Sequence, residues 1–146
     1  MNRMLIISIL ILGFFRSFSQ TNERQYIFNQ LEKIYSQEVD EKFERFTPTI
    51  DEIKIADSLI QFHVTEKAHE YSWAEKISNY SSYYRQYVGH INEKGEKILF
   101  TNSFCKWESN WRSEIISYMG GGSCFFTIKV NVDKKLTYDL KVNAPK

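Results

Sequence analysis

Apolar residues change their spacing midway along the chain. From residue 22 to residue 46 they recur every three or four positions: Ile27, Leu31, Ile34, Tyr35, Val39, Phe43 and Phe46. That spacing predicts one helix with a single apolar stripe. Asn22 is placed to cap it, with Glu23 in its first turn. Pro48 ends it, since the residue before a proline is pushed out of the helical region. A second helix is predicted at once, because Thr49-Ile50-Asp51-Glu52 has the spacing of a capping box. Ile53, Ala56, Leu59, Ile60 and His63 form its buried side. A third stretch carries Trp73, Ile77, Tyr80 and Tyr84 at helical spacing, diluted by Ser and Asn.

From Arg85 onward the period becomes two. Residues 85–92 and 97–107 flank Glu93-Lys94-Gly95-Glu96, which reads as a hairpin loop. Cys124, Phe126, Ile128, Val130 and Val132 alternate with polar or outward positions, and so do Leu136, Tyr138, Leu140, Val142 and Ala144. Pairing Val132 with Leu136, Val130 with Tyr138 and Ile128 with Leu140 puts every apolar residue on one face. A sheet with one apolar face must cover it, and the upstream helices carry the matching stripe. The expected fold is α+β. Two or three N-terminal helices pack on one face of a four-stranded antiparallel sheet, in a cystatin-like or NTF2-like layout, an analogy of fold that transfers no function.

The first residues do not fit this domain. Met1-Asn2-Arg3 is positively charged, and Met4 to Phe15 is apolar except for Ser8 and Gly13. Twelve residues make about 18 Å of helix, short of the roughly 30 Å bilayer core. Small residues at Ser17 and Ser19 then suit a signal peptidase, which predicts a signal peptide over 1–19 and a single domain over 20–146. No later stretch approaches a membrane span. The protein is therefore expected to be exported, to the periplasm or the medium. The two cysteines, Cys105 and Cys124, would then meet an oxidising compartment and form one disulfide. Closing a loop of about 20 residues contributes on the order of 3 kcal/mol by a chain-entropy estimate.

Length and charge narrow the classes further. A chain of 146 residues with 42% apolar and 25% charged residues is one folded domain. No run of like charge marks a nucleic-acid arm. Residues 20–82 hold 12 acidic and 7 basic residues, a net of −5; residues 83–146 hold 6 and 10, a net of +4. The two halves can attract each other within one fold, or the basic half can meet an acidic ligand.

Familiar catalytic patterns are incomplete. His69-Glu70 opens like a zinc helix, but Trp73 stands where the second His belongs. Glu66 and His69 supply one Glu-x-x-His where a di-metal bundle needs two. Gly121-Gly122-Ser123-Cys124-Phe125 lacks the closing Gly and the helix of a nucleophile elbow. Gly120-Gly121-Gly122 precedes no lysine-bearing helix start, so it reads as a turn. Gln86-Tyr87-Val88-Gly89 departs from the cystatin loop Q-x-V-x-G in spacing and reads as strand. No cofactor or metal is called for. The lead that remains is aromatic: Trp107, Trp111, Tyr118 and Phe125 cluster about the 108–122 connection. They can stack on a sugar or anchor a protein, or Trp107 and Trp111 can close the open end of the core. Phe125 points away from the core-facing set, so it should be exposed or covered by the loop.

Several segments resemble small exported proteins of unknown function from Bacteroidetes: Tyr84-Arg85-Gln86-Tyr87-Val88-Gly89, Lys94-Gly95-Glu96-Lys97, Asn102-Ser103-Phe104-Cys105, Gly121-Gly122-Ser123-Cys124-Phe125-Phe126 and Val142-Asn143-Ala144. The resemblance spans roughly residues 80–144, and the leader ending Phe18-Ser19-Gln20 is similar too. It implies export and a shared fold, and assigns no activity. The sequence thus points to a non-enzymatic module for a protein or glycan partner. The alternatives are a small hydrolase assembled from distant residues, or an inhibitor or immunity-type partner of an exported enzyme.

Overall fold

The computed structural model describes residues 23–67 and 77–145. The predicted leader, the Asn22 cap, His69 and Trp73 lie outside them. Strands β1 (Gln25–Phe28) and β2 (Arg45–Phe46) come first, then helix α1 (Ile50–Phe62). Strands β3 (Tyr84–Ile91), β4 (Lys97–Phe104), β5 (Phe125–Asn131) and β6 (Leu136–Val142) complete one six-stranded sheet. Its order is β1-β3-β4-β5-β6, and β2 pairs with β3 on the edge that β1 also uses. The β1–β3 pair is parallel and the others antiparallel.

The expected fold is corrected here. Two or three helices on a four-stranded antiparallel sheet give way to one helix on a six-stranded mixed sheet. The helix predicted over 22–46 does not form. Tyr26-Ile27-Phe28 is aromatic and β-branched, which suits a strand. Asn29 then starts a turn: its Oδ1 accepts from the Leu31 N–H at 2.8 Å, and its N–H donates to Glu32 Oε2 at 2.6 Å. Asp40 repeats the device with Lys42 N–H at 3.0 Å. Such side chains offer the backbone local partners that compete with a helix. The supposed stripe is split between the two sides of the sheet. Ile27 and Phe46 pack against the α1 core; Phe28, Val39 and Ile34 pack on the opposite side; Leu31 and Tyr35 are 86% and 82% exposed. The third predicted helix is, over its described part, a single 3-10 turn at Tyr80–Ser82 leading into β3.

The second helix forms as predicted. Thr49 accepts from the Glu52 N–H, and the Glu52 carboxylate accepts from the Thr49 N–H at 2.8 Å. Ile53, Ala56 and Ile60 face the sheet, and a π-helical turn over His63–Lys67 carries Val64 into the same core. That core includes Tyr87, Leu99, Phe126, Ile128 and Val130, one face of β3, β4 and β5. Gly89 lets β2 lie close to β3, since a Cβ there would stand 2.6 Å from the Phe46 carbonyl oxygen.

The last hairpin forms with an altered register. Phe126 pairs with Val142 and Thr127 with Lys141, in the expected frame. Nearer the turn the frame slips by one residue, so that Lys129 meets Tyr138, Val130 meets Thr137 and Asn131 meets Leu136. Asp139, with φ 55°, absorbs the extra residue as a bulge. Leu136 and Tyr138 therefore turn away from the helix side and stay exposed.

The sheet is buried on both sides. Residues 29–44 and 105–121 lie over the face opposite α1, enclosing Phe28, Val88 and Phe100 in one cluster and Phe104, Trp111, Ile116 and Phe125 in another.

Candidate functional site

The 105–121 segment has neither helical nor strand periodicity, so something must hold its backbone. Three devices do. Cys105 and Cys124 extend the paired ends of β4 and β5, where the Cys105 N–H donates to the Cys124 carbonyl, and they are joined by a disulfide. Two buried amides rise from the sheet beneath the middle of the loop. Gln86 Nε2 donates to the carbonyls of Trp111 and Glu114, and Gln86 Oε1 accepts from the Ile116 N–H at 3.0 Å. Asn102, opposite Gln86, donates to Gln86 Oε1 and to the Ile116 carbonyl. At the far end Asn143 donates to the carbonyls of Tyr118 and Gly120. Loop carbonyls that would be buried unpaired are thereby satisfied.

These anchors place the predicted aromatic residues in two groups. Tyr118 stacks on Phe125 with ring centroids 4.5 Å apart, so Phe125 is covered by the loop. Gly121, with φ 87°, lies against the Phe125 ring where a Cβ would collide. The Tyr118 hydroxyl donates to Glu108 at 2.6 Å, and that carboxylate raises its pKa. Trp107 and Trp111 form the other group. Trp111 is 4% exposed, packed edge-on against Tyr26, Tyr84 and Phe104. Trp107 is 62% exposed. Both line one cleft of about 520 Å³, Trp111 at its floor and Trp107 at its lip.

Among the further cleft residues, Arg24, Tyr84 and Arg112 were not read as site residues in the sequence. The parallel pairing of β1 with β3 brings the first two together, through the Arg85 N–H bond to the Arg24 carbonyl at 2.8 Å. The Arg24 guanidinium lies 5.2 Å from the Tyr84 ring centre and also donates to the Ser82 carbonyl. The Arg112 guanidinium lies 4.9 Å from the Trp111 ring. Arg112 makes one long bond, 3.4 Å, to the Glu23 carbonyl, and no ion pair among the described residues. An arginine beside Trp111 was readable as a pair, but Tyr84 and Arg24 come close only through a long-range strand pairing.

A larger cleft, about 880 Å³, separates the two covering segments, with Tyr35 and Met119 at its lips. Its one lining cation, among the described residues, is already paired. Lys141 Nζ sits 2.8 Å from Glu38. An incoming anion would have to displace Glu38 from Lys141.

Two groups with chemistry suited to hydrolysis, Asp57 and His90, are engaged in holding the fold. Asp57 accepts from the Tyr80 hydroxyl at 2.9 Å, the Tyr87 hydroxyl at 2.6 Å, Gln25 Nε2 at 2.6 Å and Arg85 Nη1 at 3.0 Å. Four donors fill the positions a carboxylate offers, leaving none for a substrate proton. Burial pushes both tyrosine hydroxyls well above their usual pKa, with the Asp57 charge adding to it. This cluster ties α1 to β1 and β3. His90 is buried and stacked on Phe43, with ring centres 5.5 Å apart. Among the described residues no group of His, Cys, Asp or Glu is arranged to hold a metal ion, and no helix is long and apolar enough to cross a membrane. No known protein family, curated protein or solved structure matches the chain.

Proposed function

We propose that the protein is an exported, non-enzymatic binding module that takes a saccharide in the Trp107 cleft. One observation carries the reading: a large aromatic ring is held exposed above an aromatic floor on a loop fixed by a disulfide and buried amides. An exposed indole is costly to keep in water, and it offers a flat face to the apolar side of a sugar ring. A loop already ordered loses little further freedom on binding. The cleft has the size of small-ligand sites, whereas a stable protein interface needs a broader surface. Export is supported by the apolar leader and the disulfide, which persists in oxidising compartments.

Calorimetric titration with an oligosaccharide panel tests this. Binding by the intact protein is expected, with at least a tenfold loss in Trp107→Ala at unchanged circular dichroism. Affinity that survives in Trp107→Ala would remove the cleft from the reading.

A further inference from the structure

We infer that the sugar this cleft takes is anionic, carrying a carboxylate or sulfate group that the Arg112 guanidinium receives. The inference rests on the saccharide reading and adds the ligand's charge. Among the described residues, the cleft is lined by two guanidiniums, Arg24 and Arg112, beside one carboxylate, Glu23. Each guanidinium lies over an aromatic ring, Arg24 on Tyr84 and Arg112 on Trp111, and those two rings meet edge-on with centroids 5.3 Å apart. Stacking of this kind fixes the plane of a guanidinium, and the Arg112 edge carries one long bond, to the Glu23 carbonyl, which leaves N–H groups for a ligand. A planar donor edge matches the paired oxygens of a carboxylate or a sulfate ester, and two parallel N–H···O bonds give it direction as well as strength. The larger cleft makes the contrast. There Lys141 is paired with Glu38 at 2.8 Å, whereas Arg112 meets a ring and a backbone carbonyl. A neutral sugar would leave that charge unused. An acidic ring places its apolar face on Trp107 and its anionic group on the arginine edge.

The probes are uronate trisaccharides of several linkages, each paired with its methyl ester, which keeps the ring and removes the charge. Neutral trisaccharides and a sulfated disaccharide complete the set. The acid is expected to bind at least tenfold more tightly than its ester at low salt, with the advantage shrinking as salt rises. Arg112→Ala should erase the difference between acid and ester while weak ester binding persists. Arg112→Lys, which keeps the charge without the fork, should restore part of it. Binding of the sulfated sugar with the same Arg112 dependence supports the anionic class and moves the group from carboxylate to sulfate. Equal affinity for acid and ester overturns the anionic inference and leaves the saccharide reading standing. Failure of every saccharide to bind overturns both. Arg112-dependent binding of an acidic peptide, with no saccharide bound, assigns the cleft to a protein partner and overturns both as well.

Discussion

The two faces of the sheet are covered by different physics. On one face α1 lays Ile53, Ala56 and Ile60 against Leu99, Phe126, Ile128 and Val130, apolar on apolar. On the other, two irregular segments lie over a surface that includes Gln86, Asn102 and His90. A helix satisfies its own backbone, so an apolar stripe is enough to dock it. A loop does not, so it is held by individually placed donors and acceptors and by a covalent link. The helix face should therefore dominate stability, and the loop face should carry whatever the protein binds.

The largest expected effect tests that division. Phe126→Ala removes a ring enclosed between Tyr80 and Tyr83 on the helix face. A loss of about 4 kcal/mol in denaturant unfolding is expected. A loss under about 1 kcal/mol would mean that this face is not the principal core. Replacing both Cys105 and Cys124 by serine opens a link across 19 positions and should cost about 3 kcal/mol by the loop-entropy estimate. Hydrogen exchange should then show the Ile116 amide losing protection before the amides of α1. Equal loss in both would make the two faces one cooperative unit.

The same division explains what the sequence disclosed. Helix α1 was legible because its capping box and stripe are local. The β3–β4 hairpin was legible because Asn92 and Gly95 make a local turn: the Asn92 side chain accepts from the Lys94 and Glu96 N–H groups at 2.9 Å, and Gly95 adopts φ 76°. Residues 22–46 misled because apolar positions spaced by three or four served both sides of a sheet rather than one side of a helix. Nothing local in Tyr26-Ile27-Phe28 announces a parallel partner some 60 residues away, and parallel pairing needs such a crossover. The covered second face was not read from the sequence: β3 and β4 are buried along nearly their whole length, although they carry Arg85, Gln86, His90, Thr101, Asn102 and Ser103. Trp107 and Trp111 were readable as an aromatic loop, but which ring would be buried depended on Gln86 and Asn102, far away in sequence.

Acid should strike the loop-covered face through His90. Burial first, then the positive charges of Lys129 and Arg45, lower its pKa from 6.5 to about 4. The ring Nδ1 is buried with no hydrogen-bond partner among the described residues. Between the unfolded value and the folded one the unfolded chain binds the extra proton, so stability is complete above pH 6.5 and falls as pH drops toward 4. The loss from this group should reach about 2 kcal/mol by about pH 5. Unfolding curves measured across that window in the parent and in His90→Gln isolate it from carboxylate titration. Parallel curves for the two proteins would show that His90 protonates in the folded state without penalty.

The smallest stability effect belongs to Trp107→Ala, and its smallness is what makes it informative. The indole is 62% exposed, and its backbone lies just beyond the disulfide. Truncating it creates no cavity and orphans no buried donor, so the melting free energy should stay within about 0.5 kcal/mol of the parent. Trp111→Ala, one helical turn's length further along, should instead lose about 3 kcal/mol, because its ring packs on Tyr26, Tyr84 and Phe104. Two tryptophans four residues apart thus separate what the loop holds from what it offers. If Trp107→Ala destabilised the protein as much as Trp111→Ala, Trp107 would be part of the covering layer, and its exposure would no longer argue for a ligand.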